Sequence, residues 1–297
     1  MTRPELLSVG ELVWDCYPEG SFLGGAPFNV AVQLARHGHP AALLTAVGQD
    51  RLGARALAFL ERERISGARV HPHLPTGTVA VALDAAGAPT FTIQGSAAWT
   101  DLAGAEPVAG SAGSLRPAVV VFGALAMHAA GNRALLSNLL DAWGVGGRGA
   151  PALVCDLNLR PGWADPAVLR WCLERCRCLK VNQEEALALA QLEGQPPDTV
   201  IPWLIHHYLL EGVCLTLGAG GLSWQGADGS SLALPAWGEE QGAPPVVDTL
   251  GAGDAVTAAL AVGLAHGESP EQFLERARRW AALTCAVMGA IPTVGAT

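Results

Sequence analysis

The sequence predicts an α/β fold with a mostly parallel central sheet, and two observations indicate it. Short apolar runs alternate with amphipathic stretches through most of the 297 residues, as strands alternate with crossover helices in a parallel sheet. Hydrophobic residues make up 50% of the chain and charged residues only 15%, so the chain can bury a substantial core. The sequence shows no internal repeat, and we expect a single domain over residues 1–297.

The apolar runs and the helical periodicities give the elements in chain order. The predicted strands are the short apolar runs, at residues 6–13, 42–47, 118–122, 152–157, 178–181 and 212–217. The predicted helices are the longer stretches with helical periodicity, at residues 27–37, 52–64, 133–143, 166–175, 183–191, 252–266 and 271–288. Most strands are therefore followed by a helix that can return the chain to the next parallel strand.

Two segments, residues 12–24 and 70–99, break this alternation. Within the second segment, residues 78–83 and 90–93 are β-branched runs that flank a glycine-containing turn at residues 84–89, the pattern of a β-hairpin. Neither segment is long enough for a core of its own. We therefore expect both to form a small β-sheet that projects over the carboxyl edge of the main sheet and acts as a lid.

The basic residues are 17 arginines and one lysine, Lys180, and this count excludes several phosphate chemistries. A Walker-type loop needs Gly-Lys-Ser/Thr, whereas Lys180 lies in Cys-Leu-Lys-Val-Asn. A protein kinase needs a lysine behind a glycine-rich loop and an HRD segment, and the sequence has neither. The GxGxxG match at residues 144–149 follows a helical pattern and precedes a strand, the reverse of a dinucleotide-binding unit.

Charge and hydropathy exclude further classes of function. The formal net charge of −9 argues against binding to the phosphate backbone of nucleic acid. No apolar run reaches the length of a membrane span, and the first residues lack the pattern of a signal peptide. Seven cysteines over this length do not indicate a disulfide scaffold. We therefore expect a cytoplasmic protein that binds neither nucleic acid nor membrane.

The strongest chemical signal is Val-Val-Asp-Thr-Leu-Gly-Ala-Gly-Asp at residues 246–254, directly before an apolar helical pattern. Glycines at a helix start let a ligand approach the backbone, and the unpaired first-turn amides together with the helix dipole attract anions. The carboxylate of Asp254 at the same end is consistent with such a site if it is a base that takes a proton from an attacking hydroxyl group. The alternative is that Asp254 only caps the helix.

A second glycine-rich helix start is Gly24-Gly25-Ala-Pro-Phe-Asn29. Asn29 can both donate to and accept from sugar hydroxyl groups, and the alternative is an ordinary helix start. In their order and spacing, the two segments resemble the paired signatures of the ribokinase-like, PfkB-type carbohydrate kinases, closest to the fructokinase and 2-keto-3-deoxygluconate kinase branch. The resemblance spans nearly the whole chain, and the segment 248–254 matches Asp-Thr-x-Gly-Ala-Gly-Asp.

The resemblance implies a three-layer α/β/α domain that uses ATP and Mg²⁺, with K⁺ as a further cation, and a homodimer through the lid. It makes Asp254 the base and assigns the transferring phosphate to the amides of Gly251, Ala252 and Gly253. The sugar-binding residues that it implies are Asp15, Gly24, Gly25, Asn29 and Arg160. The nucleotide-binding residues that it implies are Thr216, Gly218, Gly220, Gly221 and Cys285. The cation-binding residues that it implies are Asn182 and Glu185 for Mg²⁺, and Asp248 and Thr249 for a monovalent cation.

Ordinary structural roles remain open as alternatives: a strand-end hydrogen bond for Asp15, a surface ion pair for Arg160 and a solvated helix carboxylate for Glu185. Gln94 stands where many fructokinase-like relatives carry an arginine, which argues against a charged acceptor. We therefore expect ATP-dependent phosphorylation of a small sugar, fructose. Alternatives are 2-keto-3-deoxygluconate, ribose or a nucleoside as the acceptor and, from another class, a catalytically silent sugar-binding regulator.

Overall fold

The computed structural model describes residues 6–17, 20–83, 89–107, 116–144 and 150–291. The strands are, in chain order, β1 Leu6–Val9, β2 Val13–Tyr17, β3 Gly20–Gly24, β4 Ala41–Leu44, β5 Ala46–Gly48, β6 Arg69–His71, β7 Gly77–Leu83, β8 Pro89–Ile93, β9 Glu106–Pro107, β10 Val119–Phe122, β11 Ala152–Asp156, β12 Cys178–Asn182, β13 Gly212–Thr216, β14 Leu222–Gly226 and β15 Ser231–Leu234. The helices are α1 Ala26–Arg36, α2 Arg51–Arg62, α3 Ala124–Met127, α4 Ala130–Ala142, α5 Pro166–Leu173, α6 Gln183–Glu193, α7 Val200–His207, α8 Ala252–His266 and α9 Pro270–Cys285. Most of the predicted turn at residues 84–89 and of the GxGxxG match at 144–149 lies outside the described residues.

Eight strands form the central sheet in the order β15-β14-β13-β12-β11-β10-β1-β4. The six strands from β4 to β13 run parallel, and β14 and β15 extend one edge in antiparallel pairing. The direction in which the chain adds strands reverses at β1, which lies between β4 and β10. A sheet of this kind has its cleft at the carboxyl ends of the strands where this reversal occurs.

Helices cover both faces of the central sheet because alternate side chains of its strands are apolar. In β10, Val119 and Val121 pack in the same cluster as α8 and α9, whereas Val120 and Phe122 pack with α3 to α7. Parallel strands buried on both faces appear in sequence as continuous apolar runs. The predicted three-layer α/β/α arrangement is confirmed.

The two segments predicted to lie outside the alternation contribute to one four-stranded sheet, in the order β3-β2-β7-β8. Strands β2 and β3 form an antiparallel hairpin, and β7 pairs parallel with β2 and antiparallel with β8. The predicted strand at residues 6–13 is divided at Gly10, where a φ of 149° redirects the chain from the central sheet to this second sheet. A three-stranded sheet of β5, β6 and β9 was not predicted.

Helix α8 has the bounds that the sequence predicts. Gly251 precedes it and Gly267 follows it, both in the left-handed conformation that glycine adopts without strain. The helix is apolar all round because it packs between the central sheet, α1 and α9. None of the helices in the described ranges is both long and apolar enough to cross a membrane.

Candidate active site

Helices α1 and α8 begin at the same end of the central sheet, and their first turns touch. Asn29 in α1 donates from Nδ2 to Asp254 Oδ2 in α8 at 2.8 Å. Asp156, the last residue of β11, contacts α8 through the hydroxyl group of Thr257. The structure therefore brings the two glycine-rich helix starts to the carboxyl edge of the sheet, where β11 and β12 end, with Asn182 as the last residue of β12 and with Arg160 and Glu185 in the segments that follow.

Asp254 lies partly exposed in the first turn of α8. Burial of its carboxyl group raises the pKa of Asp254 to about 7, and the nearby Asp156 carboxylate adds to the rise. The hydrogen bond from Asn29 and the charges of Lys180 and Arg160 oppose it. A carboxyl group with such a pKa can take up a proton near neutral pH, as a general base must.

The turn before Asp254 requires glycine at two positions. Gly251 has a φ of 81°, and a Cβ atom there would lie 2.5 Å from the carbonyl oxygen of Ala290. A Cβ atom on Gly253 would lie 2.8 Å from Lys180 Nζ. The backbone of this turn is therefore packed closely from below. The Ala252 amide donates to the carbonyl oxygen of Thr249 at 3.3 Å, whereas the amides of Gly251 and Gly253 have no backbone acceptor among the described residues and remain available to an anion.

Lys180 and Asp156 form a buried ion pair beneath this turn. Lys180 Nζ donates to Asp156 Oδ1 at 3.1 Å, and the two side chains are 7% and 5% exposed. Burial favours the neutral amine, but the carboxylates of Asp156, Glu185 and Asp254 outweigh it, so the pKa of Lys180 is raised. The sequence does not predict this pair, which joins residues on neighbouring strands.

Asp15, on β2 of the four-stranded sheet, lies against the start of α1. A Cβ atom on Gly24 would overlap Asp15 Oδ2, and one on Gly25, which has a φ of 108°, would lie 2.5 Å from the carbonyl oxygen of Glu11. Burial raises the pKa of Asp15 to about 6, and the charge of Arg160 opposes the rise. The predicted sugar-binding residues therefore lie around one glycine-lined corner.

Arg160 lies exposed after β11, where Asn158 takes a left-handed φ of 44°. Its guanidinium group takes part in none of the ion pairs formed among the described residues. Its positive charge acts on the carboxyl groups of Glu11, Asp15 and Asp254. In each case it opposes the rise in pKa that burial causes. Arg160 is thus available for a ligand that enters between these carboxyl groups.

Glu11 is a buried carboxyl group of the candidate site that was not predicted from the sequence. Its side chain is buried, the Ala26 amide at the start of α1 donates to its carboxylate, and Oε2 has no hydrogen-bond partner among the described residues. Burial raises the pKa of Glu11 to about 7. Glu11, Asp156 and Asn158 line a cavity of about 10 Å³. This cavity has room for about one water molecule. A carboxylate directly after an apolar strand was the signal that could have identified it.

Asn182 and Glu185 form a capping box at the start of α6. Asn182 Oδ1 accepts from the Glu185 amide at 2.8 Å, and Glu185 Oε2 accepts from the Asn182 amide at 2.9 Å. Glu185 Oε1 also accepts from the amide of Leu159 at 2.8 Å, and burial raises the pKa of Glu185. The carboxylate therefore joins the ends of β11 and β12, and its remaining lone pairs can reach a cation through water.

Asp248 joins the loop before α8 to the segment after α9. Its Oδ1 accepts from the Leu250 amide at 3.0 Å and its Oδ2 from the Gly289 amide at 2.9 Å. The carbonyl oxygen of Cys285 accepts from the amide of Val247 at 2.7 Å. Asp248, the exposed Thr249 beside it and Cys285 thus share one loop region. No three acidic, histidine or cysteine side chains in the described ranges are grouped to hold a metal unaided.

The predicted nucleotide turn follows β13, two strands along the sheet from Asp156. Thr216 ends the strand, its hydroxyl group lies 3.4 Å from the carbonyl oxygen of Val181, and Gly218–Gly220 form one 3₁₀ turn. Gly221 has a φ of 96°, and a Cβ atom there would overlap the Leu234 carbonyl oxygen. The turn therefore packs against β15 and faces the same edge of the sheet as α8.

Comparison with known proteins agrees with this geometry. Residues 18–295 match the family model of the pfkB family carbohydrate kinases. A fructokinase from Klebsiella pneumoniae is 32% identical over 274 residues, which cover 87% of this chain and 84% of that protein. Fructokinase with bound ATP from Xylella fastidiosa has a TM-score of 0.80 at 21% identity, over 98% of this chain and 96% of that chain. A fructokinase double mutant from Vibrio cholerae, in a form with fructose, ADP and potassium ion bound, has a TM-score of 0.76 at 23% identity, over 97% and 94% of the two chains.

The fold and the family match define a phosphotransferase with an alcohol group as acceptor, on a ribokinase-like α/β scaffold. The chain belongs to the pfkB family of carbohydrate kinases. The class of enzyme, the family and the fold that the sequence predicts are therefore confirmed.

Proposed function

We propose that the protein transfers the γ-phosphoryl group of ATP to a hydroxyl group of a neutral sugar, and that this sugar is fructose. The observation that carries the proposal is the position of Asp254, a carboxyl group with a pKa near neutrality within the helix start that is suited to an anion. The name of the Klebsiella pneumoniae relative and the fructose bound to the Vibrio cholerae protein support the choice of sugar.

The charges of the sugar corner favour a neutral acceptor with many hydroxyl groups. Asp15, Asp254 and Asn29 Oδ1, which has no hydrogen-bond partner within the described part of the chain, offer acceptors, and Arg160 offers donors. Gln94 carries no charge, and its Oε1 accepts from the Thr78 hydroxyl group at 2.9 Å. Gly24 and Gly25 lack the Cβ atoms that would displace Asp15 Oδ2 and the Glu11 carbonyl oxygen, so they allow Asp15 to lie against the start of α1. A carboxylate on the acceptor would meet the negative charges of this corner.

In the reaction, the sugar hydroxyl oxygen attacks the γ-phosphorus and its proton passes to Asp254. The bond from the γ-phosphorus to the bridging oxygen breaks, and ADP leaves. The amides of Gly251, Ala252 and Gly253 would hold the transferring phosphoryl group at the positive end of α8. The nucleotide would lie along the turn that contains Thr216, Gly218, Gly220 and Gly221 and would reach Cys285. The strand order permits this because the turn follows β13 at the same edge of the sheet.

Mg²⁺ fits Asn182 and Glu185 only through water, because the Glu185 carboxylate already accepts from two backbone amides. This suits Mg²⁺, which keeps several waters and binds substrate phosphates directly. When bound, it would neutralise charge on the phosphate oxygens. For K⁺ we propose the loop of Asp248 and Thr249, where oxygen ligands lie at the junction with Gly289, and the potassium ion of the Vibrio cholerae protein supports this cation.

The four-stranded sheet that carries Asp15 would act as a lid over a single kinase domain and exclude water, which otherwise competes as acceptor. We further propose that two copies pair through this sheet, where Phe22 on β3 is 61% exposed. The seven cysteines are free thiols, which suits a reducing compartment such as the cytoplasm.

The test is a screen of acceptors with ATP and Mg²⁺, read as ADP release in a coupled assay. We expect fructose to give the highest kcat/KM among fructose, ribose, 2-keto-3-deoxygluconate and a nucleoside. A higher value for another acceptor would replace fructose and keep the chemistry. Stabilisation of the protein by a sugar, with no ADP release from any acceptor, would instead favour the silent sugar-binding regulator.

A further inference from the structure

The buried pair of Lys180 and Asp156 has no role in the reaction described above, although it lies directly beneath the turn that carries the base. Lys180 Nζ lies 3.1 Å from Asp156 Oδ1, and it lies so close to the underside of that turn that a Cβ atom on Gly253 would be 2.8 Å from it. Burying two charges costs several kcal/mol per ion, and an apolar pair of similar volume is often at least as stable. Stability alone therefore does not explain why the single lysine of the chain occupies this position.

Asp156 is linked mechanically to the helix start. The hydroxyl group of Thr257, one turn into α8, lies 2.5 Å from Asp156 Oδ2 and 3.1 Å from the carbonyl oxygen of Gly253. Asp156, at the end of β11, thereby fixes the first turn of α8 relative to the central sheet. The same link brings a negative charge close to Asp254, where it opposes ionisation of the base.

Charged and polar groups from every neighbouring element face Asp254. Asp156 from β11 disfavours its ionised form, whereas Lys180 from β12, Arg160 from the loop after β11 and Asn29 from α1 favour it. Glu11, after β1, also interacts with Asp254. Lys180 is the cation that is bonded to Asp156 itself, so it offsets the negative charge that Asp156 brings close to Asp254.

We propose that Lys180 and Asp156 are positioning residues that form a charge-compensated brace: Asp156 holds the catalytic turn through Thr257, and Lys180 offsets its charge so that Asp254 remains a base at neutral pH. The inference rests on the proposed role of Asp254. It assigns the only lysine of the chain to the reaction without placing it on the phosphate, since Lys180 is buried and bonded to Asp156.

The experiment compares the pH dependence of kcat/KM for the sugar in four variants with that of the wild type. The variants are Lys180→Met, Asp156→Asn, the double variant that carries both changes, and Thr257→Val. The acid limb of the profile reports ionisation of the base in the enzyme before the sugar binds. We expect the limb of Lys180→Met to move up by about one pH unit and that of Asp156→Asn to move down.

The double variant and the threonine variant separate charge from packing. In the double variant both charges are gone, so we expect its limb to return close to that of the wild type. Thr257→Val loses the brace without a change of charge, so we expect a lower kcat with an unmoved limb. Thermal denaturation identifies any variant that does not fold. If Lys180→Met fails to fold, the acid limbs of Asp156→Asn and of the double variant still show whether the charges of the pair act on Asp254.

If the pair had a purely structural role, the variants would be less stable and every acid limb would stay at the wild-type position. That result would overturn the inference. It is distinct from a failure of the proposed function, which would show as a wild-type enzyme without sugar-dependent ADP release or as full activity in Asp254→Asn.

Discussion

The side chains of Asn29 and Asp254 meet at 2.8 Å although 225 positions separate them in the chain. The bond joins the first turns of α1 and α8 and occupies Oδ2 of the carboxyl group, so that Oδ1 is left for the sugar hydroxyl group of the proposed reaction. One hydrogen bond therefore fixes the position of the proposed sugar-binding residues relative to the proposed phosphate-binding turn at residues 251–253. Its removal, and the removal of the carboxylate itself, provide the first two predictions.

Asp254→Asn should keep the fold and ATP binding and lose phosphoryl transfer. An amide cannot accept the proton of the attacking hydroxyl group, and general-base catalysis contributes about a hundredfold or more. Activity assays, thermal denaturation and calorimetric titration with ATP check the three parts. Asp198→Asn, an exposed carboxylate change on the chain between α6 and α7, is the control and should leave all three unchanged. Near-normal turnover by Asp254→Asn would rule out Asp254 as the base of the proposed mechanism.

Asn29→Ala should move the acid limb of the pH–rate profile to higher pH. The Asn29 hydrogen bond lowers the pKa of Asp254, so its loss makes the base ionise later as the pH rises. The KM for the sugar should also rise, by about tenfold, because Asn29 loses its contacts with hydroxyl groups. Profiles of kcat/KM from pH 5 to 9 test the shift. If the acid limb does not move but the KM for the sugar rises, Asn29 contributes to sugar binding and not to the pKa of Asp254.

Gly24→Ala should raise the KM for the sugar about tenfold or more with little change in the KM for ATP. The added Cβ atom would overlap Asp15 Oδ2 and displace that carboxylate from the sugar corner. Gly20→Ala, in the same hairpin, is the matched control because a Cβ atom there meets nothing within 4 Å. Steady-state kinetics of both variants measure the difference. Equal KM values would mean that Asp15 does not hold the sugar.

The stability of Glu11→Gln relative to the wild type should increase as the pH rises from 5 to 8. Burial raises the pKa of Glu11 from 4.5 to about 7, so its favourable contribution is complete below pH 4.5 and is lost as the pH rises through 7. Glutamine stays neutral and avoids this loss, which we expect to be about 3 kcal/mol at pH 8.

Urea denaturation of both proteins at several pH values measures this difference. The comparison is necessary because His37, whose pKa burial lowers to about 4, changes the stability of both proteins in the opposite sense between pH 4 and 6.5. A constant difference from pH 5 to 8 would show that Glu11 is ionised throughout.

Local patterns predict most of the central sheet and its helices. Strands such as β10 are continuous apolar runs because both faces are buried, and α8 lies between two glycines that fix its ends. The strands β14 and β15 were missed because they are short and half-buried and have weak apolar patterns. Helix α7 was also missed, since its residues Val200–His207 give no clear helical periodicity.

The candidate site was predicted where a motif carries the chemistry and missed where a contact joins distant residues. The residues of 246–254 and 24–29 were identified from their glycines and polar side chains. The contacts of Lys180 with Asp156 and of Asp156 with Thr257 span 24 and 101 positions, and no local pattern encodes them. The first contact exists because β11 and β12 are neighbouring parallel strands, and the second because α8 packs against the central sheet at β11.

The burial of the only lysine also determines how the protein responds to amine-directed reagents. In the native protein the Lys180 side chain is 7% exposed and its ammonium group is engaged with Asp156, so acylating reagents would meet no reactive lysine at the surface. Opening of the sheet edge between β11 and β12 would expose the amine of that single lysine. The rate at which Lys180 is acylated would therefore report this opening as a single-site chemical probe, without the background that surface lysines produce in other proteins.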